Sequence, residues 1–189
     1  GDTGRAAGRV SDPERDDPDL LGEVHGGATI TSLAYSAADG VLYSAGWDDR
    51  VRTTAGLTCD GCLEMDAQPN AMSCGTALVA VMTVDGLALV RDGKTVSSET
   101  IRLPYAATAV HLSRDDGTLY VAGEDCSIHV YRVAGDRIGG SSNPLDEVPG
   151  IAGGHLKPVR SLSLSPDGTR LAAADSRDVC VYDASDGYA

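Results

Sequence analysis

The sequence has no phenylalanine, one tryptophan and seven tyrosines among its 189 residues. A core without large aromatic anchors must be built from valine, leucine, isoleucine and alanine, and each packed unit then contributes little alone. Basic residues are also scarce: 15 lysines and arginines stand against 28 aspartates and glutamates, a net charge of −13. That balance argues against a nucleic-acid backbone or an anionic membrane surface as partner, because both reward positive charge. No apolar run approaches the roughly 18 residues of a membrane-spanning helix, and the first residues lack the apolar centre of a secretory signal. The five cysteines are odd in number and lack framework spacing, which points to reduced thiols and a cytoplasmic location. Helix-forming patterns are rare as well.

What is present is turn chemistry. There are 23 glycines, many of them in Asp-Gly pairs, and they separate apolar runs of about five or six residues, the mark of an all-β chain. The clearest unit covers 154–188. Gly154-His155 opens it, Ser161–Ser165 alternates polar and apolar residues with the period of a half-buried strand, and Pro166-Asp167-Gly168 makes a turn. Leu171–Ala174 is a second strand and Val179–Asp183 a third, ending Tyr-Asp. This is the pattern of one WD repeat.

The same pattern fits three more times. The first repeat runs from His25, with strands at 30–35, 41–46 and 50–54 and an outer strand at 62–65. Trp47-Asp48 lies in the turn before the third strand, while the Trp-Asp position of the repeat falls on Thr54-Ala55. The second repeat is degenerate, with strands at 70–74, 77–82 and 87–91 and Val90 in the Trp position. The third has strands at 108–113, 118–123 and 127–132, with Tyr131 in that position, followed by a glycine- and serine-rich loop carrying an outer strand near 145–148. The Trp-equivalent positions 54, 90, 131 and 182 are spaced by 36, 41 and 51 residues, periods that define propeller blades of four strands. The expected fold is an all-β WD-repeat β-propeller of about four four-stranded blades, at 23–66, 67–103, 104–150 and 151–189. Residues 1–22 are expected to be a mobile acidic segment with an edge strand. Both ends of the chain fall at the same phase of the repeat, so the expectation is an incomplete arc of a seven-bladed propeller.

Candidate chemistry is thin. Cys59-Asp60-Gly61-Cys62 has no second ligand pair for zinc and reads as two cysteines flanking a tight Asp-Gly turn. Asp92-Gly93-Lys94-Thr95 lacks the earlier glycine and the following helix of a phosphate loop and reads as a hairpin turn. His25 and His155 precede the first strands of their blades. Each can bond an aspartate in the turn before the third strand, Asp48 and Asp175 respectively, while Asp125 holds that turn position in the third repeat without a matching histidine. These five are assigned to structural hydrogen bonds at the blade tops. No catalytic residue, metal ligand, cofactor or small-molecule substrate is assigned, and the expectation is a non-enzyme. Trp47, with Asp49 and Arg50, is the candidate partner contact; the alternative is an indole folded back over its own blade.

Some departures from the repeat carry a more specific resemblance. Asp48–Ala55 (DDRVRTTA), Leu63–Met72 (LEMDAQPNAM), Leu87–Lys94 (LALVRDGK) and the closing Asp186-Gly187-Tyr188 occur in the order and near the spacing seen in the actin-interacting protein 1 family. The chain resembles an arc of the second of that family's two seven-bladed propellers. The resemblance implies binding to actin filaments and promotion of their cofilin-dependent disassembly, with actin and cofilin as partners and no catalysis. A generic WD-repeat scaffold or substrate adaptor is the competing reading.

Overall fold

In the computed structural model the described residues are 24–56, 58–96, 100–133, 145–151, 154–186 and 188. They form four antiparallel sheets and no helix. The first sheet is β1 (Ile30–Ser36), β2 (Val41–Gly46), β3 (Arg50–Ala55) and β4 (Thr58–Glu64), paired in that order. The second is β5 (Pro69–Cys74), β6 (Val79–Thr83), β7 (Gly86–Arg91) and the short β8 (Lys94–Thr95). The third is β9 (Ala107–Leu112), β10 (Thr118–Gly123), β11 (Ile128–Val133) and β12 (Leu145–Ile151). The last has three strands among the described residues, β13 (Ser161–Leu164), β14 (Arg170–Ala174) and β15 (Val179–Asp183). The segment expected at 1–22 and most of the glycine-rich loop lie outside the described residues.

Local chemistry explains the turns. In the third sheet Ser113 donates to Asp115 at 2.5 Å and accepts from the Thr118 amide at 2.8 Å. Ser165 does the same with Asp167 at 2.5 Å and with the Arg170 amide at 2.9 Å. The short side chains thus satisfy backbone groups that the strand ladder leaves open. Asp92 and Gly93 have φ of 50° and 70°, the two left-handed residues of a type I′ hairpin, so this stretch is the turn its sequence suggests.

The Cys59–Cys62 reading is corrected. Residues 58–64 are one strand; Cys59 opposes Thr54 and Gly61 opposes Thr53, so Asp60 is the extra residue of a β-bulge rather than part of a turn. A side chain at 61 would meet the Thr53 hydroxyl, which would have to turn away to make room. Both cysteines are exposed and free.

The core lies between sheets. Tyr43, Ala45 and Val51 of the first sheet pack against Met72, Val79 and Val81 of the second. Leu87 and Leu89 pack against Leu112, Leu119 and Val121 of the third. Ala122 and Ile128 pack against Leu162, Leu171 and Ala173 of the fourth. Each fully buried leucine or valine contributes about 1.5–3 kcal/mol, which is how a chain without phenylalanine holds its sheets together.

Hydrogen bonds cross the same junctions. Ser73 accepts from the Leu112 amide at 2.9 Å, and His111 Nε2 accepts from the Leu164 amide at 3.3 Å. Thr31 and Thr108 donate to the carbonyls of Pro69 and Val159 at 2.7 and 2.6 Å. Asp116, in a turn of the third sheet, accepts from the amides of Thr76, Ala77 and Leu78 in the second at 2.8, 2.7 and 3.2 Å.

Candidate functional site

In such a meander the turns between second and third strands and the entries to first strands emerge on one edge. That edge holds every residue assigned from sequence. His25 is 4% exposed; its Nδ1 lies 2.8 Å from Asp48 and its Nε2 2.8 Å from the Ser44 hydroxyl. With Nδ1–H donated to the carboxylate, Nε2 accepts from Ser44. Burial alone would raise the Asp48 pKa, but hydrogen bonds from His25 and Arg52 outweigh it and hold the carboxyl below its usual range.

The fourth sheet repeats this with one part missing. His155 Nδ1 lies 2.9 Å from Asp175, whose carboxyl is held down to about 2 by the amides of Asp178 and Arg177 and then by the imidazole. Register places Ala173 where the first sheet has Ser44, and His155 Nε2 has no hydrogen-bond partner among the described residues.

Asp125 is bound differently. His129, four residues on, brings Nε2 to 2.9 Å from its carboxylate, the relation Arg52 has to Asp48 at 3.2 Å. Tyr105 stands in the place His25 occupies, stacked on His129 with ring centroids 3.7 Å apart, and its hydroxyl lies 2.6 Å from that of Tyr131. The expectation that Asp125 lacks a histidine is therefore corrected; the signal that could have found His129 is a basic residue four positions after the turn aspartate, present in two repeats out of four.

Trp47 is 60% exposed, so the indole is not folded back over its blade. Its amide donates to Thr29 at 2.9 Å, and the Asp49 carbonyl accepts from Met65 at 2.8 Å, which pins the turn at both ends. His25 and Asp48 fill the ground beside Gly46, where an added Cβ would meet His25 Nδ1 at 2.7 Å. Asp49 is exposed in a left-handed conformation, φ 56°. Arg50 is engaged with Glu64 at 2.9 Å, an open pair of small energetic weight that a partner can exchange. Sequence reasoning missed Val84 and Leu156, 60% and 88% exposed on this same edge; nothing in their local pattern separates them from strand residues.

On the opposite edge an open cleft of about 620 Å³ is lined by Tyr35, Cys74, His111, Arg114, Leu164 and Tyr188, among others. Burial pushes the His111 pKa down, in keeping with its acceptor role toward Leu164. Among the described residues no group of three histidine, cysteine or carboxylate side chains could hold a metal ion, and no helix is long and apolar enough to cross a membrane.

Stacked antiparallel sheets of this form, with the histidine–aspartate ties at their edge, define a WD-repeat β-propeller fold, a scaffold that generally works by binding rather than by chemistry. The model of the family "WD domain, G-beta repeat" matches residues 19–53 and 149–183. The C-terminal WD40 domain of Sif2 superimposes with a TM-score of 0.63 at 19% identity, over 80% of this chain and 44% of that one. The relatives are more specific. WD repeat-containing protein 1 of Rattus norvegicus is 30% identical over 156 residues, 79% of this chain and 24% of the relative. Actin-interacting protein 1 of Drosophila melanogaster is 28% identical over 147 residues, 75% of this chain and 22% of the relative. This is a WD-repeat protein related at modest identity to actin-interacting protein 1, and it spans about a quarter of the length of these relatives.

Proposed function

We propose that this chain is part of an actin-filament-binding protein that promotes cofilin-dependent filament disassembly at the cytoplasmic actin cytoskeleton. The observation that supports the reading is its similarity, over three quarters or more of its length, to a protein named for interacting with actin. The arc corresponds in this reading to part of the second propeller of a longer molecule. It acts by presenting a rigid surface, and the turn of Trp47, Asp49 and Arg50 is its contact. An exposed indole on a pinned turn loses little freedom on docking, and tryptophan and arginine dominate interface energetics.

Co-sedimentation with actin filaments, with and without cofilin, tests this. Cofilin-dependent pelleting is expected, reduced roughly tenfold or more in affinity by Trp47→Ala. Pelleting that survives Trp47→Ala moves the contact elsewhere. No pelleting under either condition removes the actin reading and leaves a WD-repeat scaffold for other partners.

A further inference from the structure

The edge that carries Trp47 changes sign along the arc. Over the first three sheets the turns between second and third strands hold exposed acids: Asp49, Asp85 and the Glu124-Asp125 pair. The two residues just ahead of the first strands are uncharged there: Ala28-Thr29, Ala67-Gln68 and Tyr105-Ala106. The fourth sheet reverses the pattern. Lys157 and Arg160 stand in the loop ahead of its first strand and Arg177 in its turn, and all three are exposed. None of them takes an ion pair among the described residues, and Asp178 is the exposed carboxylate beside them. In a chain of net charge −13 this is a local inversion.

The cations are set on fixed backbone. His155 Nδ1 lies 2.9 Å from Asp175 and ties the entry loop to the turn. Asp175 also accepts from the amides of Arg177 and Asp178 at 2.7 and 2.9 Å. At the far end of the entry loop Val159 is fully buried, its carbonyl accepts from Thr108 at 2.6 Å, and the Arg160 amide donates to Ala174 at 2.7 Å. Between these anchors Leu156 is 88% exposed. Both loops lie at strand ends, off the faces on which sheet packs against sheet, so neighbouring blades leave them open.

We propose that this corner binds a short acidic segment of a partner protein, its carboxylates on Lys157, Arg160 and Arg177 and an apolar side chain on Leu156. A few carboxylates flanking one apolar residue match three cations with a leucine among them. A long polyanion such as a nucleic acid would run on to Glu124 and Asp125 and be repelled. A surface pinned in advance loses little freedom on docking, and Leu156 adds the apolar burial that charge pairs open to water do not supply. The corner makes no use of Trp47, so its failure and that of the actin reading are distinguishable.

The probe is a fluorescein-labelled peptide in which glutamates flank a single leucine, with a control peptide carrying glutamine for every glutamate. Binding to the full chain is read by fluorescence anisotropy. Saturable binding of the glutamate peptide alone is expected, weakening as salt rises. Lys157→Glu combined with Arg177→Glu is expected to raise the Kd roughly tenfold or more, and Leu156→Ser to raise it roughly tenfold. All three positions are exposed, and thermal melts confirm that the variants fold. Trp47→Ala is expected to leave peptide binding unchanged, whatever it does to filament pelleting. Absence of saturable binding, equal binding of the control peptide, or indifference to the charge reversals overturns the proposal. Inorganic tripolyphosphate competing as well as the glutamate peptide, with Leu156→Ser neutral, also overturns it and makes the corner a phosphate site.

Discussion

The first and fourth sheets hold the same histidine–aspartate tie, but only the first completes it with a hydroxyl. Ser44→Ala removes the partner of His25 Nε2, which sits 2.8 Å away on a side chain that is 4% exposed. Leaving a buried ring nitrogen unsatisfied costs about 1–3 kcal/mol, a fall of roughly 2–4 °C in melting temperature per kcal/mol for a chain of this size. Ala173→Ser is the opposite experiment: it offers His155 Nε2 the hydroxyl it lacks, and stability is expected to hold or rise by up to about 1 kcal/mol. Urea and thermal melts followed by circular dichroism measure both. In a His25→Ala background, Ser44→Ala is expected to cost almost nothing, because coupled residues do not add. The reasoning is refuted if Ser44→Ala is neutral in the parent, or if Ala173→Ser destabilises as much as Ser44→Ala does.

Acid is expected to weaken the fold in a defined window. Asp167, held by the Ser165 hydroxyl and by Thr169, and Asp175, held by the amides of Asp178 and Arg177, both titrate at about 2, below the roughly 3.9 of an unfolded aspartate. Their contribution is complete above about pH 4 and lost as pH falls toward 2; urea midpoints against pH should show that loss, and Asp175→Asn should flatten part of it. Asp116→Ala strips the acceptor from three amides and is expected to cost about 1–3 kcal/mol, with Asp116→Asn, which keeps one oxygen, intermediate in the same melts. Trp47→Ala should leave the melting curve within about 0.5 kcal/mol of the parent while lowering filament binding; a large loss of stability would assign the indole to the fold instead.

Strands were legible wherever period-two alternation met strong turn chemistry. Ser161–Leu164 and Val179–Asp183 fall where their pattern places them, because the Ser165–Gly168 turn and the Asp175 turn set the register locally. The outer strands were legible only in part: the one expected near 145–148 is β12, and the one expected at 62–65 overlaps the end of β4. Where β4 starts depends on a bulge against β3, and the two-residue β8 has too little sequence to carry a pattern. The exposure of Trp47 was equally hidden, since both an outward and a folded-back indole fit the same local turn sequence. The bonds from Ser73 and His111 to the next sheet join residues about 40–50 positions apart, and no local rule announces them.

With its apolar contacts gathered between sheets, the molecule has joints but no centre. A lesion at one joint leaves the others formed, so mutational damage is local and stability accumulates roughly as a sum over neighbours. Such a chain can lengthen or shorten by whole blades without redesign of what remains. The missing phenylalanine then looks less like a deficit than a sign that no single side chain was ever asked to hold the whole.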